Sequence, residues 1–197
     1  LARAYRKRDK ILKFEGAFHG MSDPALTDPA PDQTGNIPQA VPGSAGIPRS
    51  VSRDVLITPF NDIDTAANII EEYADELAGV IMEPLQRIIP AKPAFIEGLR
   101  ELTEKHHIPL IFDEVVTGFR LSYGGAQEYY GVTADICTLG KAVGGGYPLG
   151  AIAGREEIMD HCDEARAGAA GYVVQVGTLS GNPVAATAGM ATLEVLR

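Results

Sequence analysis

The sequence predicts an α/β domain in which a mostly parallel sheet is layered with helices. Short apolar segments alternate along the chain with segments whose apolar residues recur at helical spacing. The apolar segments are continuous rather than alternating, which is typical of strands that are buried on both faces of a parallel sheet. A chain of 197 residues is long enough for one domain with a sizeable core.

Strands and helices are predicted in a regular order. The predicted strands are residues 10–14, 55–58, 79–82, 109–112, 136–139 and 149–153. The predicted helices are a first one that ends at Arg8 or Asp9, then 62–76, 94–106, 155–162 and 182–197. Asn61 or Asp62 can cap the second helix, because either side-chain oxygen can accept from an unpaired N–H of its first turn. Its apolar stripe contains Ala66, Ile69, Ile70, Tyr73 and Leu77.

Residues 20–48 are rich in Pro, Gly, Asp and Ser and have no apolar period, so we expect a long loop. Loops of this length in compact domains are usually functional lids or mobile segments. Gly35, Gly43 and Gly46 are candidate hinges. A static surface loop is the alternative.

Charge and cysteine content argue against several classes of function. The net charge is −9, from 17 basic and 26 acidic residues, so no basic surplus exists to neutralise the phosphates of a nucleic acid. Cys137 and Cys162 lack the spacing of metal ligands and are interpreted as reduced thiols. No apolar run is long enough to span a membrane, and no signal peptide is recognisable. We therefore expect a cytoplasmic protein without a metal, membrane or nucleic-acid partner.

A lysine on a glycine-rich turn is the first candidate for chemistry. Lys141 follows the strand 136–139 and Gly140, and three glycines occupy 144–146. Glycine permits positive φ and close approach of a ligand. A lysine held there can attack a carbonyl carbon when desolvation or a neighbouring charge lowers its pKa. A solvated surface lysine is the alternative.

Two phosphate-binding motifs do not fit this turn. A P-loop needs a hydroxyl residue after its lysine, and Ala142 stands there. A dinucleotide fingerprint needs a different glycine spacing from that of Gly144, Gly146 and Gly150.

Glu83, Asp113 and Lys141 all stand at the carboxyl ends of predicted strands. In open parallel sheets ligands bind outside these ends, so we expect one site there. Asp113 follows an apolar strand, and a buried carboxylate is costly unless it is paired. It could cap a helix, pair with Arg120, or neutralise a cationic ring nitrogen.

A lysine and a carboxylate are the two groups that a pyridoxal phosphate site needs. The lysine forms a Schiff base with the cofactor aldehyde, and the acid keeps the pyridine nitrogen protonated. Val115 lies two residues beyond Asp113, on the same side of an extended chain, and could pack on one face of the ring. Phe18 could stack on the other face, and ordinary core packing is the alternative for it.

Four segments in order resemble the class III pyridoxal-phosphate aminotransferases. They are 16–20 (GAFHG), 112–120 (FDEVVTGFR), 138–141 (TLGK) and 177–183 (GTLSGNP). The resemblance covers essentially the whole chain, and 123–132 and 175–178 favour the aminomutase branch. It implies a fold-type I enzyme, a three-layer sandwich, with residues 1–197 as a cofactor-binding large domain truncated at both ends. Both ends also fall inside predicted helices, as expected for a fragment.

The resemblance implies a role for each matched residue. Lys141 would bind pyridoxal 5'-phosphate covalently and move a proton between substrate carbons. Asp113 would pair with the pyridine nitrogen. Val115 and Phe18 would sandwich the ring, and His19 belongs to the same cofactor-binding set.

The implied activity is amino-group transfer on a small amino-acid or amino-aldehyde substrate. The transfer would occur within one carbon skeleton, as in an aminomutase, or from an amine donor to a keto acid. Thr178 would reach the cofactor phosphate of a neighbouring subunit, which implies a homodimer. Residues 20–48 would form a mobile lid over the active site.

Two departures from the family pattern bear on these roles. Val116 replaces a glutamine of many family aminotransferases, which again favours the aminomutase branch. The phosphate-binding Ser-Gly-Thr turn of the family would precede Leu1.

Glu83 receives no role from the resemblance. A non-catalytic binding module on the same fold is a further alternative, against which the intact Lys141 and Asp113 argue.

Overall fold

The computed structural model describes residues 1–30 and 39–197. Its strands are β1 (Lys10–Phe14), β2 (Thr27–Pro29), β3 (Ala40–Pro42), β4 (Val55–Thr58), β5 (Leu77–Met82), β6 (Leu85–Gln86), β7 (Ile89–Pro90), β8 (Leu110–Glu114), β9 (Ile136–Leu139) and β10 (Ala151–Gly154). Its α-helices are α1 (Ala2–Arg6), α2 (Arg49–Ser52), α3 (Ile63–Glu72), α4 (Pro93–Lys105), α5 (Gly125–Tyr130), α6 (Glu156–Met159), α7 (Glu164–Ala167) and α8 (Pro183–Leu196). Two 3-10 helices span Lys141–Gly144 and Asp160–Cys162. Within the described residues, we find no helix with the length and apolar character needed to cross a membrane.

Six strands form one sheet in the order β10-β9-β8-β5-β1-β4. Every neighbouring pair is parallel except β10 and β9, which are antiparallel. The predicted α/β class with a mostly parallel sheet is therefore confirmed. Because the parallel strands point the same way, the segments that follow β1, β5, β8 and β9 emerge at one edge of the sheet.

Helices cover both faces of this sheet, which gives the three layers. On one face α3 and α4 bury the larger core, in which Phe14, Phe95 and Phe112 are almost completely enclosed. On the other face α1 and α6 pack on the sheet through Ala2 and Ile158. Asp113 lies between Phe112 and Glu114 on β8, so the alternation of side chains points it away from the larger core.

The segment 20–48 is more ordered than expected in its described part. β2 and β3 pair as an antiparallel ribbon. The buried Lys13 ties this segment to β1, because its Nζ donates to the carbonyl oxygens of Ala25 and Thr27 at 2.8 and 2.9 Å. The prediction of a long loop is therefore wrong at β2 and β3. These strands are short and contain prolines, so they show no alternating pattern. The hinge candidate Gly35 lies outside the described residues.

Several predicted boundaries shift where tertiary packing competes with local propensity. The helix predicted over 62–76 ends at Glu72, because Leu77, assigned to its stripe, pairs with Lys10 in the sheet. Asp62 is its N-cap and accepts from the Thr65 amide at 3.1 Å. The helix predicted over 155–162 is divided into α6 and the 3-10 helix Asp160–Cys162.

Asp135 connects the middle of α4 with the start of β8 and with the residue before α6. Its buried carboxylate accepts from the Leu110 amide at 2.8 Å, from Arg100 at 2.9 Å and from Arg155 at 3.0 Å. Burial alone would raise the pKa of this carboxyl, but these three donors outweigh burial and lower the pKa.

We expect Asp135→Asn to lower the free energy of unfolding by about 2 kcal/mol at pH 7, because charge-assisted hydrogen bonds are lost. A carboxyl whose pKa is lowered by folding stabilises the protein above its unfolded pKa of about 4, and this stabilisation is lost as the pH falls through the folded pKa. Urea denaturation of the full-length protein at neutral and acidic pH measures both effects. The difference between wild type and variant should shrink at acidic pH, whereas the exposed control Glu101→Gln should change little at either pH. A difference of equal size at both pH values would contradict this role.

Candidate active site

The candidate site lies at the sheet edge where β1, β5, β8 and β9 end. The parallel register of β8 and β9 places Asp113 opposite Thr138 and Glu114 opposite Leu139. Lys141 follows Leu139 by two residues. Strand pairing therefore brings the carboxylate at the end of β8 next to the turn that carries the lysine.

Three groups hold the carboxylate of Asp113. His19 Nδ1 lies 2.9 Å from Oδ2, while the Thr138 hydroxyl and the Val115 amide donate to Oδ1 at 3.1 and 3.2 Å. Burial alone would raise the pKa of this carboxyl, but the hydrogen bond and charge of His19, together with the other two donors, lower it. Asp113 is thus kept anionic although its side chain is only 11% exposed. Its partner is His19 rather than Arg120, the ion-pair partner that the sequence left open.

His19 is more deeply buried than the carboxylate that it contacts, with 5% of its side chain exposed. An anionic carboxylate can only accept, so Nδ1 of the imidazole donates to it. The other ring nitrogen, Nε2, is buried and has no hydrogen-bond partner among residues 1–30 and 39–197. Sequence reasoning placed His19 in the cofactor-binding set but did not foresee its contact with Asp113, which joins residues 94 positions apart.

Phe18, next to His19, is 56% exposed at the same edge of the sheet. Core packing, the alternative that the sequence left open for Phe18, is therefore wrong. Its backbone amide donates to Oε2 of the buried Glu83 at 2.9 Å. Glu83 was singled out from the sequence without a role. In the structure it contacts the turn that carries Phe18 and His19.

Val115 packs against Gly140, the residue before Lys141. A Cβ on Gly140 would lie 3.2 Å from Cγ1 of Val115, so this side chain packs against the backbone just before the lysine. Lys141 has a φ of 47°, which is uncommon for a residue with a side chain and is often found at functional sites. Its side chain is exposed. The following turn packs against α8, where a Cβ on Gly145 would collide with Thr192.

Thr178 lies in an exposed turn just before α8. Within the described part of the chain, no hydrogen bond joins it to Asp113, His19 or Lys141. Asn182, at the end of the turn, caps α8 by accepting from the Val184 amide at 2.9 Å. The predicted action of Thr178 at a neighbouring subunit therefore stays a prediction.

These groups suit a flat cationic ring that carries a carbonyl group. The anionic Asp113 can neutralise a protonated ring nitrogen, and the exposed ring of Phe18 offers a stacking surface. Val115 offers an aliphatic surface beside the lysine. The Nζ of Lys141 is an accessible amine for covalent attachment.

Known proteins resemble this chain along its whole length. The family model described as "Aminotransferase class-III" matches residues 1–197. Glutamate-1-semialdehyde 2,1-aminomutase of Methanococcus vannielii is 48% identical over 200 residues, which cover 100% of this chain and 45% of that protein.

Two solved structures share the fold along the whole chain. An omega-transaminase from Sphaerobacter thermophilus matches with a TM-score of 0.89 and 40% identity, over 100% of this chain and 45% of that one. A structure described as a transaminase with PLP bound matches with a TM-score of 0.87 and 33% identity, over 100% of this chain and 45% of that one.

The chain thus spans slightly less than half of the length of the curated relative, at 45%. The family resemblance of the four ordered sequence segments is confirmed by the match over residues 1–197 and by the identity to the aminomutase. Three of the segments lie at the sheet edge that carries Asp113 and Lys141, and 177–183 leads into α8. This chain belongs to the class-III aminotransferase family.

Proposed function

We propose that the protein containing this chain is a pyridoxal-phosphate enzyme that transfers an amino group, and that residues 1–197 form its cofactor-binding large domain. The observation that carries the proposal is the buried, anionic Asp113 beside the turn of Lys141. Pyridoxal phosphate supplies an aldehyde that binds amines covalently and a ring that accepts an electron pair from the substrate carbon. The donor set described above fits this group.

Asp113 has the task of stabilising positive charge on the ring nitrogen. A unit charge pair at about 3 Å is worth roughly 5 kcal/mol at an effective dielectric constant near 20. His19 supports this task because it holds Asp113 in its charged form and in one orientation. Val115 and Phe18 would hold the ring between them.

Lys141 has two tasks that use the same atom. Its Nζ would hold the cofactor through the aldehyde group. When it is free, the same Nζ would take a proton from one substrate carbon and return it to another. The exposed position of Lys141 on a tight turn gives the amine access to both partners.

The relatives support two proposals for the reaction. Our first choice is glutamate-1-semialdehyde 2,1-aminomutase activity, supported by the 48% identity to the Methanococcus vannielii protein and by the apolar Val116. The alternative is transfer from an amine donor to a keto acid, supported by the 40% identity to the omega-transaminase. The aminomutase needs no external keto acid, so turnover of glutamate-1-semialdehyde alone, against transfer from alanine to a keto acid, separates the two.

Two further parts of the proposal concern the assembly. We infer a homodimer in which Thr178 reaches the cofactor phosphate of the partner subunit, which suits its exposed position in this chain. We also infer that the described parts of the segment 20–48, residues 20–30 and 39–48, take part in closing over the site, with Ala25 and Thr27 held to β1 by Lys13. A lid of this kind retains a bound intermediate and excludes water.

Borohydride reduction of the full-length protein with bound pyridoxal phosphate tests the proposed function. Peptide mapping should place the pyridoxyl group on Lys141, because its amine is exposed beside Asp113. Lys13 is buried and donates to two carbonyl oxygens, so it should stay unlabelled. A stoichiometric label on Lys13, Lys92 or Lys105, or none at all, would contradict the assignment.

A further inference from the structure

Glu83 is a buried acid at the end of β5, with 9% of the residue exposed. Its Oε2 accepts from the Phe18 amide at 2.9 Å, across 65 positions in the sequence. A buried carboxylate is costly unless it is hydrogen-bonded, and a bond from an amide to a charged acceptor is stronger than one between neutral groups. This contact therefore fastens the backbone of Phe18 to the sheet.

The turn that carries Phe18 and His19 lies between two glycines. β1 ends at Phe14, and two glycines follow with positive φ, 78° at Gly16 and 93° at Gly20. Glycine reaches these conformations easily, but it also loses the most conformational freedom when it is ordered. Contacts from outside the turn therefore help to maintain its conformation.

Gln86 supplies a second contact from the same segment as Glu83. Its Nε2 donates to the carbonyl oxygen of Glu15 at 2.5 Å, and it is 6% exposed. A Cβ on Gly16 would lie 2.7 Å from this Nε2, so the turn and the amide fit closely. Glu83 and Gln86 thus hold the turn at both of its ends.

These contacts of Glu83 and Gln86 affect the positions of two site residues at once. The ring of Phe18 is 56% exposed, so core packing does not set its position, and its backbone anchor does. His19 follows directly and contacts Asp113 at 2.9 Å. A shift of the Phe18 amide would move the stacking ring and the imidazole together.

We propose that Glu83 is a positioning residue of the active site, which sets the orientation of Phe18 and His19 through its bond to the Phe18 amide. It acts through these two residues and not on the reacting atoms. The proposal rests on the proposed function, because the purpose of the positioned pair is to hold the cofactor ring.

Three variants of the full-length protein separate positioning from general stability. Glu83→Gln keeps an acceptor oxygen for the Phe18 amide, whereas Glu83→Ala removes it. Glu97→Ala, at an exposed position of α4, controls for the loss of a carboxylate elsewhere. Loss of a hydrogen bond to a charged group should correspond to about a tenfold change or more.

In the protein without cofactor, amide hydrogen exchange at Phe18 should be about tenfold faster in Glu83→Ala and close to wild type in Glu83→Gln. With pyridoxal phosphate, Glu83→Ala should lose most of the induced circular dichroism of the bound cofactor and release it about tenfold faster. Rescue of both signals by glutamine supports positioning. Unchanged signals in Glu83→Ala, or no rescue by glutamine, would overturn it.

Two further measurements keep the test decisive. If Glu83→Ala does not fold, Gln86→Ala weakens the same turn from its other end, and an unchanged circular dichroism signal there would overturn the proposal. If wild type binds no pyridoxal phosphate at Lys141, the proposed function fails. Hydrogen exchange at the Phe18 amide still tests by itself whether Glu83 holds this amide.

Discussion

Lys141→Ala should reduce turnover by about 10⁴-fold or more while the cofactor still binds. The variant loses the amine that attaches the cofactor and moves the substrate proton. Asp113, Val115 and Phe18 remain to hold the ring. Steady-state turnover of the full-length protein measures the first effect, and the absorbance of the bound cofactor, which should shift to that of the free aldehyde, measures the second.

Lys92→Ala is the matched control, because Lys92 is an exposed lysine at the start of α4. It should keep wild-type turnover and wild-type absorbance. A Lys141→Ala variant that retains a substantial fraction of its activity would show that another base moves the proton. Loss of cofactor binding together with activity would show that Lys141 acts mainly in binding.

Asp113→Asn should lower turnover by about a thousandfold with the fold intact, because a charge pair of roughly 5 kcal/mol is lost from the ring nitrogen. Asparagine keeps acceptor capacity for the Val115 amide and the Thr138 hydroxyl, so the end of β8 should remain ordered. Turnover and the thermal midpoint, measured together on the full-length protein, separate the chemical effect from the structural one.

Asp64→Asn, at an exposed position of α3, controls for the general effect of removing one carboxylate. In wild type the lowered pKa of Asp113 keeps it charged at neutral pH, so its protonation should not limit turnover there. Near-normal turnover in Asp113→Asn would make the carboxylate purely structural and would move the ring-binding role elsewhere.

The predicted fold class relied on local patterns, which the sequence carries in full. The segments 10–14, 55–58 and 136–139 became strands with the predicted bounds, because continuous apolar residues suit strands buried on both faces. The cap at Asp62 was predictable for a similar reason, since its bond to Thr65 spans only three residues.

The sequence also indicated which strand ends to inspect. Asp113 and Lys141 were recognisable because each follows a buried strand, and parallel strands end at one edge of a sheet. The positions of the segments were therefore predictable where the relevant contacts are short in sequence. The ribbon of β2 and β3 was missed, because each is only three residues long and contains a proline.

Only the tertiary structure decided which side chains meet at that edge. His19 reaches Asp113 and Glu83 reaches Phe18 because β1 lies beside β5, and β5 beside β8, in the sheet. Nothing in the local sequence states this order, since many orders bury the same apolar strands equally well. The sequence by itself thus determined the fold class and the candidate lysine and carboxylate. The partners that hold the carboxylate and the stacking ring in place are consequences of strand order, which long-range packing selects.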